Sequence, residues 1–114
     1  MKSYTDLEQS RMLAKILPLE TADMKYKEYT SALDYSSKHL DIPSVGHPFS
    51  KDIPCWSLVA LFKLLPKSAR LEKGNVTELY RVTLPVELET SDWYIEPIDA
   101  CVEMIIHLHE LNLL

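Results

Sequence analysis

Apolar residues first recur at helical spacing near the start of the chain, where Leu7, Leu13, Ala14 and Leu17 form one stripe among charged and amide side chains. Thr5-Asp6-Leu7-Glu8 fits a capping box, in which the Thr5 hydroxyl and the Glu8 carboxylate satisfy helix-start amides reciprocally. The pattern predicts a helix over about Asp6–Ile16. Pro18 ends it by disfavouring helical geometry at Leu17. The period then shortens. Met24-Lys25-Tyr26-Lys27-Glu28 alternates apolar and polar positions, as a half-buried strand does. Between Ser36 and Asp52 the breakers Pro43, Gly46 and Pro48 leave little periodicity, so residues 36–52 read as a long loop. Loops of that length usually have a function or are disordered.

After Pro54 the run Cys55 to Leu65 is apolar nearly all round and is closed by Pro66, which places a predicted helix in the middle of the core. Gly74-Asn75 has hairpin-turn chemistry between Ala69-Arg70-Leu71-Glu72 and Thr77 to Leu84, with Tyr80, Val82 and Leu84 on the buried face. Pro85 marks a strand end, Glu89 to Asp92 a polar turn, and Trp93-Tyr94-Ile95 supplies a further strand. Pro97 suits a first helical position and opens a closing helix through about Leu111. On that helix Ile98, Cys101, Val102, Ile105 and Leu108 oppose a polar stripe of Asp99, Glu103, His107 and Glu110. No βαβ alternation runs through the chain, so the strands should pair antiparallel. The expected architecture is α+β: one domain over residues 1–114, with three helices packed on a small antiparallel sheet around a single apolar core.

A chain of 114 residues, 46% hydrophobic and 25% charged, has an ordinary globular composition and can build a core without staples. Seven prolines against two glycines imply that rigid bends set the chain's direction more than φ > 0 turns do. The net charge of −5 opposes phosphate neutralisation and argues against general nucleic-acid binding. Lys63, Lys67, Arg70 and Lys73 form a basic run and Glu87 to Glu103 an acidic one, both placed as helix dipoles prefer. No leader-like segment and no stretch near the roughly 18 apolar residues of a membrane span is present, so a cytoplasmic protein without a membrane partner is expected. Cys55 and Cys101 are too few for a disulfide scaffold and read as core thiols.

Cys55-Trp56 at a predicted helix start superficially resembles the cysteine–tryptophan pair of papain-like enzymes, where a helix dipole lowers the thiol pKa. The histidines fall in the wrong places for that chemistry. His39 and His47 precede Cys55, while His107 and His109 sit on the closing helix. His39, Asp41, His47 and Asp52 could gather around a cation, and Glu103 with His107 could offer a pair, but neither spacing is a compact metal motif. A solvated contact on a polar stripe explains Glu103 and His107 as well, and His109 reads as a hydrogen-bonded packing residue. The aromatics Tyr26, Tyr29, Tyr80, Trp93 and Tyr94 could form a binding platform, although aromatics in strands more often fill a helix-facing sheet. No phosphate-cradling loop and no serine-histidine-aspartate signature is present, so no catalytic, metal or cofactor site is assigned.

Three stretches carry a resemblance: Thr5 with Leu7-Glu8-Gln9-Ser10 and Ile16 to Glu20; Ile53-Pro54-Cys55-Trp56-Ser57-Leu58; and Pro97 with Asp99 to Met104. Together they resemble a family of small uncharacterised proteins encoded by gut Bacteroidetes and their prophages. About half the chain is covered, and the loop from Tyr35 to Lys51 is not. The family brings no activity and hence no site residues; the resemblance implies a phage or mobile-element setting. The function expected is that of a non-enzymatic accessory or protein-interaction module, with another protein as partner. The contact should involve the 36–52 loop through Leu40, Val45 and Phe49, apolar residues among prolines that limit the entropy lost on binding. The alternative is a small cysteine-dependent hydrolase using Cys55, which an exposed, acidic thiol beside a histidine would favour.

Overall fold

The computed structural model of the protein describes residues 2–30, 37–39 and 42–114, with backbone alone at 28–30 and 37–39. The architecture is α+β, with three helices packed against antiparallel sheets. The chain divides into two compact units, residues 5–57 and residues 1–4 with 58–114.

In the 5–57 unit, helix α1 spans Leu7–Ala14. Its capping box is built one residue later than the sequence suggests. Asp6, not Thr5, is the N-cap: its carboxylate accepts the Gln9 amide at 2.8 Å, and the Gln9 side chain accepts the Asp6 amide at 3.1 Å. Thr5 is freed for the interior, where it is fully buried with Ser10 and Leu13, whereas Ala14 of the expected stripe faces solvent. Strand β1 (Met24–Tyr26) lies between β4 (Ser44–Val45) and β5 (Ile53–Cys55), antiparallel to both. Strands β2 (Glu28–Thr30) and β3 (Ser37–His39) form a separate antiparallel pair. The stretch expected to be a long loop therefore carries two short strands. Their two or three residues are too few to show a period, which is why the sequence hid them.

The other unit contains α2 (Leu58–Leu64), the sheet β6 (Arg70–Lys73), β7 (Tyr80–Leu84) and β8 (Glu89–Thr90), and α3 (Pro97–Glu110). The apolar run from Cys55 is thus split: Cys55 ends a strand, and the helix begins only at Leu58. Ala60 and Leu61 are buried, but Val59 is 64% exposed, so α2 is not enclosed on all sides as expected. The 70–84 hairpin forms in the expected place, with Val82 and Leu84 fully buried and Tyr80 partly so. Its connection spans residues 74–79 rather than a two-residue Gly-Asn turn, closed by the Gly74 amide on the Leu79 carbonyl at 2.8 Å. The third strand is β8, where a polar turn was expected. Trp93-Tyr94-Ile95 contributes only a bridge, Tyr94 exchanging both backbone hydrogen bonds with Tyr80 at 2.6 and 2.7 Å.

Helix α3 follows its sequence pattern closely. Pro97 stands in the first turn, where its missing amide costs nothing. Ile98, Cys101, Val102, Ile105 and Leu108 are all buried against α2 and β7. Lys2 ties the chain's start to the opening of α3: its amide donates to Glu96 at 2.6 Å and its ammonium to Asp99 at 2.8 Å. The other end closes as a Schellman motif. Asn112 takes φ 58°, with the Asn112 amide on the His109 carbonyl at 3.1 Å and the Leu113 amide on Leu108 at 2.9 Å.

Candidate functional site

Of the sequence-derived partner residues, Val45 ends β4 and Phe49 lies between β4 and β5. Leu40 and Asp41 lie outside the described residues. From Ser44 onward the backbone is tied down on the 5–57 unit. Lys25 and Met24 of β1 pair with Ser44 and Val45, and Gly46 leaves the strand at φ +126°, a conformation that side chains rarely adopt. The Gly46 amide donates to the Asp23 carbonyl at 2.9 Å, and the His47 ring Nδ1 lies 2.9 Å from the Ala22 carbonyl oxygen. A reciprocal turn follows: the Phe49 amide donates to the Asp52 carboxylate and the Asp52 amide to the Phe49 carbonyl, both at 2.9 Å. Pro43 and Pro48 are buried.

The side chains run the other way. Ile42 is 75% exposed, Val45 84% and Phe49 73%. Lys25 sits above the Phe49 ring, its ammonium 4.7 Å from the centroid and 3.4 Å from the His47 carbonyl oxygen, so the ring has a cation on one face. Strand β4 is also an edge strand, and its outer backbone groups have no strand neighbour among the described residues. Pinned backbone, outward apolar side chains and an open strand edge coincide here.

Cys55 lies at the centre of the same unit, not on its surface. Its thiol donates to the Thr5 carbonyl at 3.4 Å, and the Thr5 hydroxyl lies 3.6 Å from the sulfur. Thr5 also shares a 2.8 Å hydrogen bond with Ser10, accepts the Trp56 amide at 3.1 Å, and receives the Tyr26 hydroxyl on its carbonyl at 2.8 Å. Burial pushes the Cys55 pKa up and Asp23 adds to this, with hydrogen bonds from Thr5, Ser10 and Tyr26 acting the opposite way. Burial alone pushes Cys101 up to about 12. No histidine is among the partners of Cys55 in the described residues, and no helix begins at it. The features that activate a thiol are therefore not assembled around this sulfur.

The remaining candidates are taken up by local contacts. Glu103 and His107 do not meet each other: Glu103 accepts the Asp92 amide at 2.9 Å, and the His107 ring lies 2.7 Å from Glu89. Both hold the β8 segment against α3. His109, expected to pack, is exposed. No group of three or more histidine, cysteine, aspartate or glutamate residues is placed to hold a metal among the described residues. The aromatics divide by environment. Tyr26 is 2% exposed and structural, whereas Trp93 is 41% exposed on the outer face of the β6–β8 sheet. Sequence reasoning did not separate the two, since both occur in short alternating runs. No helix among the described residues is long and apolar enough to cross a membrane. No family model, curated protein or solved structure matches the chain.

Proposed function

We propose that the protein is a non-enzymatic interaction module that docks another protein through the Ile42–Phe49 segment. The observation that carries this reading is the inversion just described, in which the backbone is held by hydrogen bonds while Ile42, Val45 and Phe49 stand in solvent. A pinned segment loses little conformational entropy on binding, and exposed apolar side chains beside an open strand edge suit strand addition with side-chain pockets. The hydrolase reading has less support, because Cys55 is buried and its pKa is raised. A phage or mobile-element setting rests on the family resemblance alone.

The test replaces Leu40, Val45 and Phe49 together with serine. A partner recovered from the native host with the unsubstituted protein is purified and titrated against both forms. Lost binding at an unchanged urea midpoint supports the reading. Undiminished binding, or loss of stability alongside loss of binding, would sink it.

A further inference from the structure

An open apolar groove of about 470 Å³ lies between α2 and β6, lined by Leu58, Val59, Phe62, Lys63 and Leu71. Val59, Phe62 and Lys63 are three and four residues apart on α2, so one face of the helix supplies most of the lining. The opposite wall is Leu71, which shares its face of the sheet with its cross-strand partner Val82. Strand β6 is the edge of that sheet, with no strand on its outer side among the described residues. Its backbone is open at the same place. Tyr80 exchanges both backbone hydrogen bonds with Tyr94, and Val82 spends its amide and carbonyl on the Ser91 hydroxyl and amide, each at 2.9 Å. The residues opposite them on β6, Lys73 and Leu71, therefore direct their N–H and C=O groups away from the hairpin. Leu71 thus offers a side chain to the groove and a hydrogen-bonding pair to the open edge.

The charges around this edge have one sign. Lys63 lines the groove, Arg70 and Lys73 flank Leu71 along β6, and none of the three has an ion-pair partner among the described residues. Glu72, the one carboxylate of the strand, stands on the other face, where Arg81 holds it at 2.9 Å. A second copy presenting the same basic edge would be repelled, whereas an acidic segment is attracted. We propose that β6 receives an extended acidic segment of another protein as an added antiparallel strand. The residue opposite Leu71 exchanges both main-chain hydrogen bonds with it and places an apolar side chain in the groove. Two positions earlier a carboxylate faces Lys73, and one position later a carboxylate faces Arg70. Backbone pairing and apolar contact carry the affinity, and the charges select the sequence. Groove and edge both belong to the unit of residues 1–4 and 58–114, so the contact does not depend on the role of the Ile42–Phe49 segment.

The probe is a blocked octapeptide with the core Asp-Thr-Val-Asp, titrated into the ¹⁵N-labelled protein. The Leu71 and Lys73 amides should shift saturably, while the Val45 amide on the other open edge stays in place. Methylating the valine nitrogen of the peptide removes a main-chain hydrogen bond and leaves the side chains, so it separates strand addition from simple apolar contact. A Lys-Thr-Val-Lys core reverses the charges. Val59→Asp puts a carboxylate into the groove at an exposed position near the start of α2, where the helix dipole favours it and the fold is kept. Each of these three changes should weaken binding at least about tenfold. Lys73→Glu, at an exposed position outside the core, should weaken the acidic peptide and strengthen the basic one. The proposal is overturned by the absence of a saturable shift up to about 1 mM peptide. Equal binding of the methylated or basic peptide, undiminished binding to Val59→Asp, or an unchanged preference in Lys73→Glu would overturn it as well.

Discussion

Thr5 shows how one hydroxyl can organise a buried centre. Its oxygen serves the Trp56 amide and Ser10 while its carbonyl serves Tyr26 and Cys55, so four neighbours are satisfied by one residue. Thr5→Val keeps the shape and strands the buried Trp56 amide, and should destabilise by about 1 to 3 kcal/mol in urea titration. Cys101 allows a pH test with a definite sign. Its folded pKa of about 12 stands above the ordinary value of 9.0, so the folded state holds its proton where the unfolded chain releases it. Its contribution is fully present below pH 9 and is lost as pH rises toward 12, at up to about 1.4 kcal/mol per pH unit. Cys101→Ala should flatten that part of the curve relative to the parent, measured by denaturation from pH 8 to 11.

At the scale of elements, helix ends and turns decide the detail. The Asp6–Gln9 box implies that Asp6→Ala costs about 1 kcal/mol, read from the denaturation midpoint. The turn between β7 and β8 contains the opposite case. Leu88 takes φ 58° and is 88% exposed, so it carries the steric cost of a left-handed backbone without burying its side chain. Leu88→Asn should therefore stabilise the protein by about 0.5 to 1 kcal/mol in the same assay. The α3 pattern was legible because fourteen residues give several turns of one period, and the 70–84 hairpin because its alternation is long enough to name a face. The helix expected at Cys55 was misplaced for a related reason. Only Trp56 and Ser57 separate strand β5 from helix α2, and a nearly continuous apolar run does not say where its period changes.

For the whole molecule, charge and burial set the expectations. The overall charge of −5 predicts no shift of a random-sequence DNA duplex in a gel at low ionic strength. Trp56 is fully buried with its indole N–H on the Thr21 hydroxyl at 3.0 Å. Trp56→Ala should thus cost about 3 to 5 kcal/mol, a large part of a typical domain's stability, and a loss below about 1 kcal/mol in urea would contradict that burial.

Fold class, the course of α3, the hairpin and the burial of both cysteines follow from the order of residues, because each rests on a local period or on the general preference of thiols for the interior. The pairing of β1 with β4 and β5 does not, since strands of two and three residues gain their identity from neighbours distant in sequence. The exposure of Val45 and Phe49 was likewise decided in three dimensions. Whether an apolar residue among prolines turns inward or outward depends on the partners its backbone finds, and here Asp23, Asp52 and the β1 pairing hold the backbone while the side chains of Val45 and Phe49 remain in water.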